Sequence, residues 1–390
     1  MGIFHKNATT QNQWVTSHFG KNLIVCRYNL KNTIGPVLRR HPFSIGRIME
    51  PQEFTMKRKA LALLSGGLDS TLAVRLMLDM GVNVEALNFT SPFCTCTGKN
   101  AGCKSEAVRV AEEFHIPIKV MTKGLDYLEV IRKPRHGYGK GLNPCIDCRI
   151  YLLRRAKEYM VESGADFVIT GEVLGQRPMS QRRDAMRVIE RESGLEDLLV
   201  RPLSARFFSP TLPEREGWID RAKLLAIRGR SRREQIERAF EMDVRNYPCP
   251  AGGCLLTELS FVPKVRDVLD HSDELNLRDC RMLKIGRHFR IGERTKVIIG
   301  RNEADNAMLE NVKQPDDTAI TWMDGNTPLG IITGCQGPEA TSLAARILLR
   351  YTKAEQAAPC RIKVRSNGGE ETISVGNDMN EAAVTPYLIA

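Results

Sequence analysis

The run ALALLSGGLDS, residues 60–70, decides the fold of the central part of the chain. Its apolar half predicts a buried strand, the serine and two glycines predict a tight turn, and a helix-compatible run follows over 71–80. Such a turn presents backbone N–H groups and a helix N-terminus to an anion, so phosphate is the natural ligand. No Gly-Lys-Ser/Thr sequence accompanies it, so it differs from the common P-loop of nucleoside triphosphatases. The simpler alternative is an ordinary strand-to-helix turn capped by Asp or Ser.

Short apolar runs and helical runs alternate on both sides of this loop. The predicted strands are 60–64, 84–89, 116–121 and 167–170, and the predicted helices are 70–80, 104–115 and 146–163. This alternation predicts an α/β fold with a doubly wound parallel sheet. Ligands of such folds bind at the carboxyl ends of the strands. We therefore expect Asn88, Thr170 and Gly171, which end the second and fourth strands, to line the same site as the glycine loop.

The bulk composition is that of a globular protein with a polyanionic partner. The chain has 390 residues, a net charge of +11 and 11 cysteines. Basic surface favours nucleic acid, because it releases counterions from phosphates. No apolar run is long enough to span a bilayer, so we expect no membrane association and a cytoplasmic location. In a reducing compartment, so many cysteines suggest metal, cluster or sulfur chemistry before disulfides.

The pattern of residues divides the chain into five segments. The first is a basic, acid-poor extension, which we expect to be a disordered transit peptide or, preferably, an over-called start. A nucleotide-binding domain, a basic helical segment, a C-terminal α+β domain of alternating strands and a weakly patterned tail follow. The predicted bounds are 1–55, 56–206, 207–282, 283–375 and 376–390.

Three groups of cysteines carry candidate chemistry. The sequence NPCIDC, 143–148, places a C-x-x-C at a helix start, where a thiol pKa is lowered. In YPCPAGGC, 247–254, small residues leave room beside two further thiols. Together these two motifs favour a metal or iron–sulfur site, against a redox pair or inert thiols. The third group, FCTCTGKNAGC at 93–103, suits zinc, a sulfur relay or free surface thiols equally.

The hexapeptide SGGLDS, 65–70, resembles the pyrophosphate loop (PP-loop) of ATP pyrophosphatases. Together with NPCIDC it resembles the tRNA thiouridine synthetases of that superfamily, over roughly residues 57–269. The second cysteine of that family lies in Gly-x-Cys before two apolar residues, a Glu and a Phe, an order that residues 253–261 follow. Arg149, where the family usually has Asn, and the extra Cys249 depart from its pattern. The sequence of residues 170–181 resembles the sequences of a bacterial subgroup that is 4-thiouridine-synthetase-like.

The resemblance implies an ATP-dependent tRNA sulfurtransferase with Mg²⁺ as cofactor. ATP would lie on the loop, Asp69 would hold Mg²⁺, and Asp69, Cys145 and Cys254 would be catalytic. Because no rhodanese-like domain is visible to deliver a persulfide, we favour a [4Fe–4S] cluster on three thiols. The residues implied for the ATP site are Ser65, Gly66, Gly67, Asp69 and Ser70, and those for the cluster are Cys145, Cys148 and Cys254, with Cys249 as the alternative ligand.

The expected partners are tRNA and a sulfur donor, either sulfide or a cysteine desulfurase. The run 297–306, VIIGRNEADN, resembles the NFACT-type RNA-binding domain, which implies that Arg301 and Asn302 contact RNA. The basic run 228–233 would bind tRNA phosphates, although a solvated helix face explains any single arginine equally well. Its candidate residues are Arg228, Arg230, Arg232 and Arg233.

Two other classes of function fit the same residues. One is another PP-loop adenylating enzyme, an amide- or nitrile-forming ligase, which would use zinc or no metal at the cysteines. The other is a non-catalytic RNA-binding protein with an inactive nucleotide loop, against which the intact SGGLDS argues. The sequence leaves open the uracil oxygen that is replaced, the tRNA position and the oligomeric state.

Overall fold

A computed structural model describes most of the chain after residue 57 and two strands before it. The described residues are 13–19, 22–28, 58–94, 103–248, 254–272, 275–325, 328–335, 337–355 and 358–390, with backbone alone for the first two ranges and for residue 103. The chain divides into two compact units, Met1–Thr55 and Met56–Ala390. Among the described residues, no helix is long and apolar enough to cross a membrane.

The first unit contains a pair of antiparallel strands, β1 (Gln13–Phe19) and β2 (Asn22–Tyr28). Gln13 pairs with Tyr28 at one end of the ladder, and Phe19 pairs with Asn22 at the other. The interpretation of this extension as a transit peptide or an over-called start stays a prediction.

The second unit begins with alternating strands and helices. In chain order these are β3 (Lys59–Leu63), α1 (Leu68–Asp79), β4 (Asn83–Thr90), α2 (Cys103–Glu113), β5 (Ile118–Thr122), α3 (Leu125–Arg132), α4 (Cys145–Ser163), β6 (Phe167–Thr170), α5 (Arg183–Ser193) and β7 (Leu199–Val200). The strands form one parallel sheet in the order β5-β4-β3-β6-β7. The chain thus leaves the central strand β3 first to one side and then to the other, which confirms the doubly wound α/β prediction.

Helices cover both faces of this sheet, because its strands are apolar on both sides. Along β3, Ala60 and Ala62 pack into a cluster with α1 and α2, whereas Leu61 packs into a cluster with α4 and α5. Each fully buried leucine contributes about 1.5–3 kcal/mol relative to an exposed one. Burial on both faces therefore fixes β3, and with it the position of the glycine loop at its carboxyl end.

The described residues of the segment 207–282 form mainly helices, which pack against the sheet domain. Its helices are α6 (Leu212–Arg215), α7 (Arg233–Glu241), α8 (Val262–His271) and α9 (Leu277–Met282). Ala239 of α7 is buried in the cluster that covers α1, and Val265 of α8 is buried in a cluster with Tyr127 of α3. The described residues of the segment thus share their cores with the nucleotide domain.

The C-terminal part is an antiparallel sheet with helices on both faces, which agrees with the predicted α+β class. Its elements are β8 (Arg287–Gly292), β9 (Thr295–Ile299), α10 (Glu303–Val312), β10 (Thr318–Trp322), β11 (Gly330–Gly334), α11 (Pro338–Leu349), β12 (Pro359–Ser366), β13 (Gly369–Gly376) and α12 (Glu381–Val384). The strand order is β13-β12-β10-β11-β9-β8. The residues predicted as a tail pack here: Met379 and Val384 are buried in the same cluster as α11, and Leu388 bridges to Phe289.

Buried charges join α8 to the C-terminal sheet. The Asp267 carboxylate accepts hydrogen bonds from Arg290 Nε at 2.9 Å and from Lys296 Nζ at 2.8 Å. Burial alone would raise the pKa of Asp267, but these two cations outweigh burial and lower it. The network therefore holds a paired, ionised carboxylate where the helical segment meets the sheet.

His288, on β8, lies near these cations and is fully buried. Burial, Lys296 and Lys264 lower its pKa well below the ordinary value, so the folded protein holds His288 neutral. The unfolded chain binds a proton below about pH 6.5, and the free energy of unfolding should therefore fall as the pH drops from that value.

We expect this loss to approach about 1.4 kcal/mol per pH unit between pH 6.5 and pH 5. Denaturant unfolding at several pH values measures it. In His288→Gln, which has no proton to gain, the slope should flatten over the same range. An unchanged slope in that variant would assign the pH dependence to another group.

Candidate active site

The glycine loop lies between β3 and α1, at the carboxyl end of the central strand. Gly66 has φ of +77°, and a Cβ placed there would lie 2.5 Å from the backbone of Glu106, so the position requires glycine. The hydroxyl oxygens of Ser65 and Ser70 are 3.0 Å apart, and the Ser70 hydroxyl donates to the Gly67 carbonyl at 3.0 Å. Two serines thus close the loop into a compact turn.

Helix α1 begins at this turn without a side-chain cap. Its N-cap residue is Gly67, which has no side chain to accept the first helical N–H groups. A helix N-terminus of this kind carries partial positive charge and free donors, which suit a phosphate group. The loop therefore fits the phosphates of a nucleotide in both space and charge.

The carboxylate of Asp69, in the first turn of α1, lies at the same phosphate-binding turn. Its Oδ2 accepts a hydrogen bond from Gln176 Nε2 at 3.0 Å, and Arg232 Nη2 lies 3.7 Å away. Its Oδ1 is buried and has no hydrogen-bond partner among the described residues. Buried carboxylate oxygens are normally satisfied, and carboxylate oxygen is a preferred ligand of Mg²⁺. The site therefore fits a divalent cation held by Asp69.

Gly171 brings the end of β6 against the first turn of α1. A Cβ at this position would lie 2.5 Å from the backbone carbon of Asp69 and 2.5 Å from the backbone nitrogen of Ser70. Unlike the end of a flexible side chain, these backbone atoms cannot move aside to make room for a Cβ. The absence of a side chain at Gly171 therefore sets the distance between the two strand ends that enclose the loop.

Replacing Gly171 with alanine should displace the loop. We expect the ATP affinity to fall by at least about tenfold and the free energy of unfolding to fall by about 1–3 kcal/mol, as in other overpacked sites. Nucleotide titration and denaturant unfolding measure the two effects. The matched control is Gly376→Ala, because a Cβ there meets nothing within 4 Å. Equal ATP affinity in the two variants would contradict the close approach.

Asn88 and Thr170 lie at the neighbouring strand ends, where the sequence predicts them. The amide of Asn88 donates to the Leu64 carbonyl at 2.8 Å, and its buried Oδ1 has no hydrogen-bond partner in the described part of the chain. The Thr170 hydroxyl donates to Glu172 Oε2 at 3.2 Å. Asn88 therefore keeps an acceptor for a ligand, whereas the hydroxyl of Thr170 is already engaged.

Sequence reasoning missed the role of Glu172, which is buried between two arginines. Arg149 Nε lies 3.0 Å from Glu172 Oε1, and Arg201 Nε donates to Glu172 Oε2 at 3.2 Å. Burial alone would raise the pKa of this carboxyl, but the two guanidinium groups lower it. Glu172 thus anchors Arg149, the residue that departs from the family pattern. An acid directly after a buried strand was the available signal.

Cys145 is the first residue of α4, and Cys148 follows one turn later. The expectation that the helix start lowers the thiol pKa is wrong for Cys145. Burial and the neighbouring Cys148 raise its pKa and outweigh the guanidinium groups of Arg177 and Arg149. The raised pKa therefore favours the neutral thiol of Cys145.

Two buried side chains that the sequence did not single out hold Cys148. Lys123 Nζ donates to its Sγ at 3.2 Å, and the hydroxyl of Tyr127 donates at 3.3 Å. Burial, followed by the nearby Cys148 and Cys254, raises the pKa of Tyr127. Since Lys123 directly follows β5, its position at a strand end was the signal that could have found it.

Cys254 joins this group from the helical segment. Its backbone forms an isolated antiparallel bridge with Cys94, and Leu255 N donates to the Phe93 carbonyl at 2.9 Å. Burial raises the pKa of Cys254 to about 11. The fold therefore brings Cys254 of the second cysteine motif and Cys94 of the third beside the C-x-x-C.

No group of three or more Cys, His, Asp or Glu side chains in the described ranges is arranged to hold a metal ion. Cys249 and Cys96 lie outside the described residues, as does the side chain of Cys103. The thiols of Cys145, Cys148 and Cys254 are therefore neighbours but not a preformed ligand set. Their assignment as cluster ligands stays a prediction.

Two family models match the chain over the domains just described. Residues 55–206 match the model "Thiamine biosynthesis protein (ThiI)", and residues 286–388 match the model "NFACT protein RNA binding domain". After the models that they match, we call residues 55–206 the ThiI-type domain and residues 286–388 the NFACT-type domain. The parallel sheet, the glycine loop and the C-x-x-C all belong to the former, as the resemblance in the sequence implied.

Curated relatives match part of the chain. A "Probable tRNA sulfurtransferase" of Ureaplasma parvum serovar 3 is 31% identical over 156 residues, which cover 38% of this chain and 37% of the relative. The "tRNA-specific 2-thiouridylase MnmA" of Leptospira interrogans is 26% identical over 132 residues, 30% of this chain and 34% of the relative. The chain thus spans little more than a third of the length of these curated relatives.

Among solved structures, a crystal structure of a 4-thiouridine synthetase–RNA complex with bound ATP matches with a TM-score of 0.32. The two sequences are 24% identical, and the match covers 54% of this chain and 50% of that chain.

The four arginines predicted to bind tRNA differ in their surroundings. Arg232 faces Asp69 in the ThiI-type domain, while Arg228 stacks on the ring of Phe207 with 5.3 Å between its guanidinium carbon and the ring centroid. Arg233 forms an exposed ion pair with Glu237 at 2.9 Å, and Arg230 is exposed. The four arginines of the run 228–233 therefore do not form one uniform basic surface.

In the NFACT-type domain, Arg301 and Asn302 lie at the start of α10. Arg301 Nε pairs with Asp305 Oδ2 at 2.7 Å, and the Asn302 side chain caps the helix by accepting from Asp305 N at 2.9 Å. Asn306 Oδ1 accepts a hydrogen bond from Leu329 N at 2.9 Å. These residues thus build the turn before α10, and their contact with RNA stays a prediction.

Proposed function

We propose that this protein is a tRNA sulfurtransferase that replaces a uracil oxygen with sulfur at the expense of ATP. One observation carries the proposal: Glu172 follows Gly171, which packs against the backbone of the phosphate loop, and it pairs with Arg149, the residue after Cys148, at 3.0 Å. The loop and the C-x-x-C are thus joined by one ion pair, so a base could be adenylated and thiolated without leaving the site. The names of the relatives that match part of the chain support the same reaction.

Adenylation comes first. The uracil carbonyl oxygen attacks the α-phosphorus of ATP, forming an O–P bond as the bond from that phosphorus to pyrophosphate breaks. The N–H groups at the start of α1 and the glycine loop receive the phosphate charge, which is the main task of a protein in phosphoryl and nucleotidyl transfer. Mg²⁺ held by Asp69 would neutralise part of the charge on pyrophosphate.

Sulfur transfer follows at the thiol-lined end of the site. A sulfide equivalent attacks the adenylated carbon, and the C–O bond breaks so that AMP leaves with the oxygen. A [4Fe–4S] cluster on Cys145, Cys148 and Cys254 would supply that sulfide. Lys123 and Tyr127, as hydrogen-bond donors to Cys148, would hold negative charge on sulfur in place.

The tRNA would be held by the NFACT-type domain and by basic residues of the helical segment, with the target base drawn out of its stack. The net charge of +11 favours this partner. Free sulfide would provide the sulfur, or a cysteine desulfurase would do so together with a dithiol that reduces its persulfide to sulfide and is oxidised to a disulfide. We place the reaction in the cytoplasm, where tRNA and reduced thiols occur together.

Reconstitution tests the proposal. The protein, purified without oxygen, is incubated with tRNA, Mg²⁺, ATP and sulfide, and nucleosides are analysed by mass spectrometry. We expect one thiouridine, one AMP and one pyrophosphate per turnover, and no thiouridine without ATP. Consumption of ATP with no thionucleoside would favour an amide- or nitrile-forming adenylating enzyme instead.

A further inference from the structure

Helix α7 begins beside the glycine loop, although the two are far apart in sequence. Its N-cap residue is Arg232, whose Nη2 lies 3.7 Å from Asp69 Oδ2. The helix is fixed there, because Gln235 and Ala239 are buried, and Ala239 packs in the cluster that covers α1. Packing therefore fixes the start of α7, and with it the backbone of Arg232, beside the loop.

This guanidinium has hydrogen-bonding capacity left for a ligand. A separation of 3.7 Å is too long for a hydrogen bond, and Asp69 Oδ2 already accepts from Gln176 at 3.0 Å. Among the described residues, Arg232 donates no hydrogen bond. Its neighbour Arg233, by contrast, is 86% exposed and is paired with Glu237. Two adjacent arginines of one basic run thus face different surroundings.

We propose that Arg232 binds the β- and γ-phosphates of ATP rather than tRNA. The inference rests on the ATP site of the proposed function and assigns a further residue to it. A guanidinium matches phosphate oxygens bidentately, and it would offset the repulsion between the Asp69 carboxylate and the triphosphate. Because pyrophosphate gains charge as it leaves, the same contact would favour adenylation.

Nucleotide titration separates this role from RNA binding. The full-length protein is titrated with Mg²⁺ and α,β-methylene-ATP, which cannot be cleaved at the reacting bond, and separately with AMP, which lacks the outer phosphates. We expect Arg232→Ala to weaken the ATP analogue about 10- to 100-fold and AMP less than about twofold. Arg232→Lys should recover part of the loss, because it keeps the charge.

The matched control is Arg238→Ala on the same helix, where the arginine's one ion pair within the described part of the chain is with the exposed Glu241 at 2.7 Å. Its affinity for the ATP analogue should equal that of the wild-type protein. Loss of tRNA affinity with unchanged affinity for the ATP analogue in Arg232→Ala would overturn the inference, and so would equal weakening of AMP and the analogue. If the wild-type protein bound neither nucleotide, the proposed function itself would fail.

Discussion

Replacing Cys148 with alanine is expected to abolish thiouridine formation while leaving ATP affinity within about twofold of the wild-type value. The thiol is held by Lys123 and Tyr127 and lies outside the glycine loop. Sulfur transfer requires a thiolate that carries or ligates the incoming sulfur, and alanine cannot do either. The substitution should therefore remove the second step and spare the first.

The same result is expected for Cys145→Ala and Cys254→Ala. Thiouridine is quantified by mass spectrometry of digested tRNA, and ATP binding by titration. Cys335→Ala is the matched control, because Cys335 is exposed and its described hydrogen bonds involve the backbone alone. Full thiolation by any of the three variants would remove that residue from the sulfur-transfer step.

Asp69→Asn should lower the rate of tRNA-dependent pyrophosphate release by about 100- to 1000-fold, the usual range for loss of one preorganised charge contact. Asparagine keeps an oxygen to accept the hydrogen bond from Gln176, so the loop should stay in place. The negative charge that would hold Mg²⁺ is lost, however. A coupled assay of pyrophosphate release measures the effect.

Asp79→Asn is the control for this experiment. Asp79 lies on the same helix and is 43% exposed, and its one ion pair among the residues that the structure describes is with Arg75 at 3.0 Å, so its charge contributes little. Its rate should equal that of the wild-type protein. A rate for Asp69→Asn within about twofold of this control would contradict the metal-holding role of Asp69.

The sheet of the ThiI-type domain was predictable because its strands are apolar on both faces. The predicted strand 167–170 coincides with β6, and the predicted helix 146–163 differs from α4 by one residue. β7 was missed because it has two residues, Leu199 and Val200, too few to form a pattern. α5 was missed because polar residues dominate it, although Met186 and Ile189 bury one face.

In the NFACT-type domain, the strands around β8 to β11 were predictable and the final hairpin was not. β13 begins with the adjacent acids Glu370 and Glu371, which break the alternation typical of a strand, and the charges of β12 find partners, in the pairs Arg361–Asp324 and Lys363–Glu370, only after folding. α10 was not predicted, because it begins within the run 297–306 that resembles the NFACT-type domain. Asn302 caps the helix, and Asp305 lies in its first turn.

The convergence of strand ends was predictable, but long-range partners were not. Strand order alone places Asn88 and Gly171 near the loop. No local pattern shows that Arg232 approaches Asp69 or that the backbones of Cys94 and Cys254 form a bridge. Each of these contacts joins segments more than 150 residues apart. The raised pKa of Cys145 was missed for a related reason, since burial depends on the complete fold.

The most direct measurement is mass spectrometry of the nucleosides of total tRNA from cells with and without this gene. We predict that one thiouridine disappears when the gene is deleted and returns when the wild-type gene, but not a Cys148→Ala variant, is restored. The identity of the lost nucleoside would also name the uracil oxygen. An unchanged set of thionucleosides in the deletion strain would contradict tRNA thiolation.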